Sequence, residues 1–349
     1  MFQKQDVMRR VVYSLLPIFL FATFLYGWRV LVTTALVFVL GIATEYVFER
    51  SRKKKVSEAV LVTCMLYSLS LPPYTPLWIA AVGIIFAVAI GKGVYGGFGR
   101  NIFNPAITGR LFIYITFPTV LTTAWMVPAL VDLTASTSLS GVFGTSGIGG
   151  VDAITAATPL AMMRSGEIPG LINLFVGFRS GSVGESSALL IIAAAIYLMW
   201  TKTANWRMIS STFFSALLFT VIFYFSGLIP GLDPAARSGG QHLVPIAAYM
   251  MSGSILYVAV FMSTDPISAP NKYVAQFLYG FIIGGVSMVV RTFSGFPEGT
   301  SFGIMIGNTF SALLDELSPA NKKKKKKKPA AKPDTANDAT PAAKQEVSA

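Results

Sequence analysis

Thr158 is the residue of this chain best placed to do chemistry. It lies in Asp152-Ala-Ile-Thr155-Ala-Ala157-Thr158-Pro159-Leu160, a polar stretch of an otherwise apolar protein. Gly141, Gly144, Gly147, Gly149 and Gly150 stand just upstream and suit an exposed, flexible segment that a modifying enzyme can reach. Small neighbours such as Ala156 and Ala157 let the backbone approach a phosphate, and backbone N–H groups can hold one. A second reading also fits: Pro159 can start a helix, with Thr158 as its N-cap.

Two further segments carry polar groups where polar groups are rare. Gly96-Gly-Phe-Gly-Arg-Asn101-Ile-Phe-Asn104-Pro-Ala106 is neither a GxGxxG motif nor preceded by a strand, which excludes a dinucleotide fold. Its asparagines can donate to and accept from a flavin ring or a neighbouring helix end. Ser263-Thr264-Asp265-Pro266 puts a carboxylate at a helix break in or beside a membrane, a functional candidate by default. Asp265 can cap the next helix, hold a partner protein or bind a cation. Glu45 stands near the end of its apolar stretch and is expected to face the membrane interface. No series of buried carboxylates is expected, so the chain is not by itself an obvious ion pathway.

The elements that must position these residues are membrane helices. Of 349 residues, 53% are hydrophobic and 13% charged, against about 25% charged in soluble domains. Mean hydropathy is +0.61. Apolar runs recur at roughly the 15–20 residues needed to cross ~30 Å of hydrocarbon as helix. Ten spans are expected: 11–27, 30–48, 57–71, 77–91, 103–120, 187–200, 208–226, 243–262, 274–290 and 302–317. The stretch 170–178 is too short to cross and reads as a re-entrant or surface piece. The first run lacks a small-residue cleavage site, so no signal peptide is expected.

One cysteine, Cys64, excludes an internal disulfide and a four-cysteine cluster, and it reads as a small packing residue. One histidine, His242, excludes the paired histidines of a membrane haem. Electron transfer would therefore need an organic cofactor or partner proteins.

With ten spans, most Lys and Arg of the short loops fall on one side. Arg9 and Arg10, Arg50 to Lys55, Lys92 and Arg100, Lys202 and Arg207, and Lys272 are on that side, as are the seven lysines Lys322–Lys328. Both termini are then cytoplasmic, and the loop 121–186 with Thr158 is on the outer face. The chain divides into 1–120, a first group of five helices; 121–186, the outer loop; 187–318, a second group of five; and 319–349, a basic tail too polar to bury a core. The tail suits anionic lipid better than nucleic acid, which is not expected as a partner.

The two groups resemble one another. Met65 to Pro76 ends the third span of the first, and Phe261 to Pro270 ends the third of the second; both are apolar runs broken by small polar residues and spaced prolines. Gly96 to Ala106 opens the fifth span, and Phe296-Pro-Glu-Gly299 precedes the tenth. Interrupted spans at matching positions of inverted halves mark broken helices that meet near the midplane.

Together these motifs resemble the family that holds the RnfD protein of the Rnf electron-transport complex and the NqrB protein of the sodium-translocating NADH:quinone reductase. The resemblance covers roughly residues 8–317. It rests on Gly96–Ala106, Asp152–Leu160, Thr264-Asp265-Pro266 and Phe296–Gly299. Asp152, a Ser/Thr at Thr155 and Ala157-Thr158 match the acceptor motif for FMN carried as a phosphoester; Ala156 stands where that motif commonly has Gly. The first span begins close to the chain start, which favours the Rnf type.

The resemblance implies an all-α membrane protein of two inverted five-helix repeats, like urea transporters. It implies FMN joined covalently to Thr158 by a separate flavin transferase, because a threonine hydroxyl is a poor nucleophile. Asp152, Thr155, Ala157, Asn101, Asn104 and Asp265 are its further cofactor-binding candidates, and some members hold a second, noncovalent flavin. It implies an inner-membrane Rnf complex with the A, B, C, E and G subunits that couples ferredoxin and NAD redox chemistry to Na⁺ or H⁺ movement. The alternatives are a component of a quinone reductase and a stand-alone channel for a small solute, which would have no use for Asp152 to Thr158.

Overall fold

The computed structural model of the protein describes residues 2–125, 157–237, 239–294 and 299–319. Its helices begin and end where proline and glycine dictate. Helix α1 (Asp6–Tyr26) stops at Gly27, whose φ of +75° lets the chain reverse into α2 (Trp28–Ser51). Helix α3 (Ala59–Ser70) stops because Leu71 precedes Pro72 and is held extended, at φ −84° and ψ 152°. Helix α4 (Leu77–Val88) runs on into a π-helical turn, Ala89–Gly93. Asn104 caps α5 (Pro105–Thr116), with Pro105 in the first turn, where its missing N–H costs nothing. A short α6 (Pro118–Thr123) follows.

After the undescribed 126–156, two six-residue helices appear, α7 (Pro159–Arg164) and α8 (Leu171–Val176). Then come a 3-10 turn (Val183–Glu185), α9 (Ala188–Trp200) and α10 (Trp206–Phe225). Helix α11 (Leu243–Met251) bends by 62° into α12 (Ile255–Tyr257), which continues as a second π-helical turn, Val258–Met262. Helices α13 (Tyr273–Phe293) and α14 (Gly299–Leu317) close the bundle. The strand pairing among the described residues is two residues long: β1 (Phe2–Gln3) runs parallel to β2 (Val56–Ser57).

Every expected span coincides with a helix, but the spans are not equal. Among the described residues four helices, α1, α2, α10 and α13, are long and apolar enough to cross a membrane, and the bent α11–α12 makes a fifth. The stretches 57–71 and 103–120 shrink to helices of 12 residues each. At 1.5 Å per residue that is roughly 18 Å, short of ~30 Å of hydrocarbon.

Packing repeats along the chain. Helix α4 lies between α2 and α5, and α13 lies between α10 and α14. Helix α1 packs on α3, and α9 packs on α12. Across the two groups, α1 meets α9 and α5 meets α14. The α10–α13 seam is made by small residues: Gly280 and Gly284 lie against Ser211, Thr212 and Ser215. The Ser211 and Ser215 hydroxyls donate to the Phe277 and Phe281 carbonyls at 2.5 and 2.7 Å, the close approach expected where apolar burial alone gives no drive to associate. Cys64 is fully buried beside Gly41, a packing residue as expected.

Candidate functional site

Two polar recesses lie toward opposite ends of α1. Val7, Met8 and Val11 line one. At the other end of the helix, the Tyr26 hydroxyl donates to the Arg179 carbonyl at 2.9 Å, and Arg179 lines the second. From Val11 to Tyr26 is roughly 22 Å of helix.

The first recess is a cleft with about 670 Å³ of space between atoms, the open solvent at its mouth included. Asn101, Asn104, Thr264, Asp265 and Lys92 all line it. Candidates far apart in the chain thus meet in one site. The Asn104 side chain accepts from Ala106 N–H at 3.0 Å, so it also caps α5. Asn101 is buried, donates to the Phe103 carbonyl at 3.1 Å, and has a side-chain oxygen with no partner. A buried acceptor without a donor is costly, and it fits a ligand N–H. Asp265 caps its own turn: its carboxylate accepts from the Ser268 hydroxyl at 2.7 Å. Burial pushes the Asp265 carboxyl above the ordinary carboxylate range, opposed by the Ser268 hydrogen bond.

Glu45 does not face the membrane interface; its side chain is buried inside the protein. It is 3% exposed, and its carboxylate takes a 2.6 Å bond from the Lys92 ammonium and bonds from the Ser57 N–H and hydroxyl. The packing of β2 on α2 explains this, because it brings Ser57 over the Glu45 carboxylate. Glu49, Glu58 and Glu185 are buried as well, so the chain does carry a series of buried carboxylates, contrary to the expectation from sequence. Each of the four carboxylates is matched to a cation, which is how a membrane protein tolerates them.

The second recess, with about 390 Å³ of empty space, contains Thr158, half-exposed. The Thr158 hydroxyl oxygen accepts from Ala161 N–H at 3.2 Å, so it is the N-cap of α7. Ala157 is exposed beside it; Asp152 and Thr155 lie outside the described residues. The wall opposite is basic. Arg179 donates to the carbonyls of Ser186 (3.0 Å), Met251 (2.7 Å) and Glu185. Arg110, fully buried at mid-α5, donates to Glu185 Oε1 at 3.0 Å and to Ser182 Oγ at 3.3 Å. Arg179 and Glu185 line the recess together with the Ser180 and Ser182 hydroxyls, and Arg110 pairs with Glu185 without lining it.

The frame around Thr158 is rigid. Arg164 donates to the carbonyls of Arg291 (2.9 Å) and Ser294 (3.0 Å), bolting α7 to the end of α13. Gly231 (φ +77°) abuts the Met163 and Arg164 carbonyls so closely that no side chain fits there. Gly253, at the α11–α12 bend, has φ +67°, and a Cβ there would stand 2.7 Å from the Arg291 guanidinium.

Sequence reasoning overlooked Arg110, Lys92 and Glu185. Arg110 had a signal: an arginine in the middle of an expected span. Lys92 was counted as a loop charge because nothing in Ala-Ile-Gly-Lys-Gly announces a π-helical turn.

The family model described as NQR2, RnfD, RnfE matches residues 2–323. The chain belongs to this family. The chain is 31% identical over 341 residues to the D subunit of the ion-translocating oxidoreductase complex of Aeromonas hydrophila, covering 90% of this chain and 93% of that protein. It is 29% identical over 321 residues to the D subunit of the Na(+)-translocating ferredoxin:NAD(+) oxidoreductase complex of Acetobacterium woodii, covering 90% and 88%. It is also 33% identical over 311 residues to the B subunit of the Na(+)-translocating NADH-quinone reductase of Chromohalobacter salexigens, covering 87% of this chain and 69% of that family member.

Proposed function

We propose that the protein is the flavin-carrying, electron-transferring D subunit of an Rnf-type complex in the inner membrane. It would work with the A, B, C, E and G subunits and couple ferredoxin and NAD redox chemistry to Na⁺ or H⁺ movement. The observation that carries this reading is the pairing of two polar recesses through shared elements. Ser254 lines the Thr158 recess and Phe261 lines the cleft, seven residues on along α12 and its π-helical turn.

FMN would be held covalently at Thr158 after attachment by a flavin transferase, with Arg179 and Arg110 supplying positive charge toward its phosphate and the serines supplying donors. A flavin, when bound, supplies one- and two-electron redox chemistry. A second, noncovalent flavin would sit in the cleft, with Asn101 accepting a ring N–H and Asn104 bordering it. Half-buried Asp265 adds a carboxyl to the same lining.

The architecture in this reading is ten membrane-embedded elements in two inverted five-helix repeats, 1–120 and 187–318, like urea transporters. The matched packing of α2–α4–α5 and α10–α13–α14 supports it, and so do the half-length α3 and α5. Loop charges support cytoplasmic termini and an outer-face Thr158 in the segment 121–186, with 319–349 as a basic cytoplasmic tail at anionic lipid. The identity to quinone-reductase proteins favours a second reading, a role like that of their B subunit, which predicts quinone reduction by the assembled complex.

The test is mass spectrometry of the peptide from Asp152 to Arg164, from native membranes, beside Thr158→Val. An FMN-sized adduct lost in the variant is expected. An unmodified Thr158 from cells with an active flavin transferase contradicts the reading.

A further inference from the structure

The Glu45–Lys92 pair is more than the proposed cofactor cradle requires. A buried ion pair is costly to desolvate, and packed apolar residues would hold these helices as well. It is also built with care. Lys92 is placed by a π-helical turn, Ala89–Gly93, a local departure that collects at functional sites. The turn is seated by close contacts: Gly93 packs against the Phe48 ring, where a Cβ would be 3.0 Å away, and Gly91 packs against Pro105. An ammonium has three donors. Lys92 gives two of them to Glu45 Oε2 (2.6 Å) and Ser57 Oγ (2.7 Å). Lys92 and Phe98 both line the cleft, with the ammonium 5.7 Å from the Phe98 ring centre. Glu45 and Ser57, which hold the ammonium, do not line it.

The ammonium therefore borders the cleft, and the carboxylate that holds it does not. Uptake of an electron by a ring without a matching proton leaves that ring with one more negative charge. In a site shielded from water, the nearest fixed charge dominates the cost of that change. We infer that Lys92 is the fixed positive charge that favours the reduced form of the ring held in the cleft, and that Glu45 and Ser57 position it and temper its effect. Asp265, which lines the same cleft, acts in the opposite sense to Lys92 when ionised. The inference rests on the reading that the cleft takes a flavin.

The experiment is a redox titration of the releasable flavin in the whole complex from native membranes, with dithionite as reductant and mediator dyes. Flavin content is measured in parallel after acid release, and Asn101→Leu identifies the fraction belonging to the cleft. Lys92→Met lowers the midpoint potential of that fraction, and Lys92→Arg keeps it close to the parent. Glu45→Gln raises it. Lys92→Met leaves Glu45 buried without its cation and can fail to assemble, so the double variant Lys92→Met/Glu45→Gln carries the same test without a stranded charge. Its potential falls below the parent and above Lys92→Met. A flavin present in all variants at one unchanged potential overturns the inference while leaving the cleft reading intact. A complex with no releasable flavin sensitive to Asn101→Leu overturns the cleft reading and the inference with it.

Discussion

The Thr158 recess and the asparagine cleft are polar by opposite means. The recess is lined by Arg179, whose donors are spent on backbone carbonyls, so its charge is fixed and unspecific in direction. The cleft is lined by side-chain amides, one with an acceptor unmet, so its information lies in hydrogen-bond geometry. In the proposed reading a covalent tether would remove the need for a shaped pocket, because the bond would do the holding, and what would remain is to balance the charge of a phosphate. A noncovalent site must recognise the ring itself. Each recess has its own buried ion pair, Arg110–Glu185 at one and Lys92–Glu45 at the other.

That parallel can be broken by removing one cation at a time. Arg110→Met strands Glu185 and costs about 3–5 kcal/mol, seen as a large fall in the unfolding temperature of the purified complex. Arg110→Met/Glu185→Leu recovers most of that loss, because both charges leave together. If the single variant is as stable as the parent, the pair is not the buried unit described here.

A smaller effect sharpens the contrast between a rigid frame and a recognition surface. Gly231→Ala forces a left-handed φ on a side chain, about 1–2 kcal/mol, and adds a clash with the α7 carbonyls. It should displace Thr158 and slow flavin attachment while leaving the releasable flavin untouched. Equal loss from both recesses would mean that the two frames are one.

Much of this arrangement was legible in the sequence, and its gaps have physical causes. Thr158 as an N-cap followed from Thr-Pro, and Asn104 stands at a helix start for the same reason. The lengths of α3 and α5 were not legible because hydropathy continues past Leu71 and Phe117, while the following prolines end the helix. The meeting of Asn101 with Asp265 is a tertiary fact that no local pattern carries. Glu45 looked interfacial because its partner is 47 residues away and emerges from a π-helical turn.

Smaller still is Asn104→Ala, which removes the α5 cap at about 1 kcal/mol and weakens flavin retention in the cleft alone. Smallest is Ser211→Ala in the α10–α13 seam, about 0.6 kcal/mol, with neither recess affected. A change in flavin content there would show that the seam belongs to the sites and not only to the scaffold.

The central claim is that the chain holds two independent flavin sites, one covalent and one not. It is tested most directly by counting both on the same preparation: covalent flavin on the Thr158 peptide and releasable flavin after acid treatment, in the parent, Thr158→Val and Asn101→Leu. The account predicts that Thr158→Val loses only the covalent flavin and Asn101→Leu only the releasable one. Joint loss in either variant, or no loss in Asn101→Leu, contradicts it.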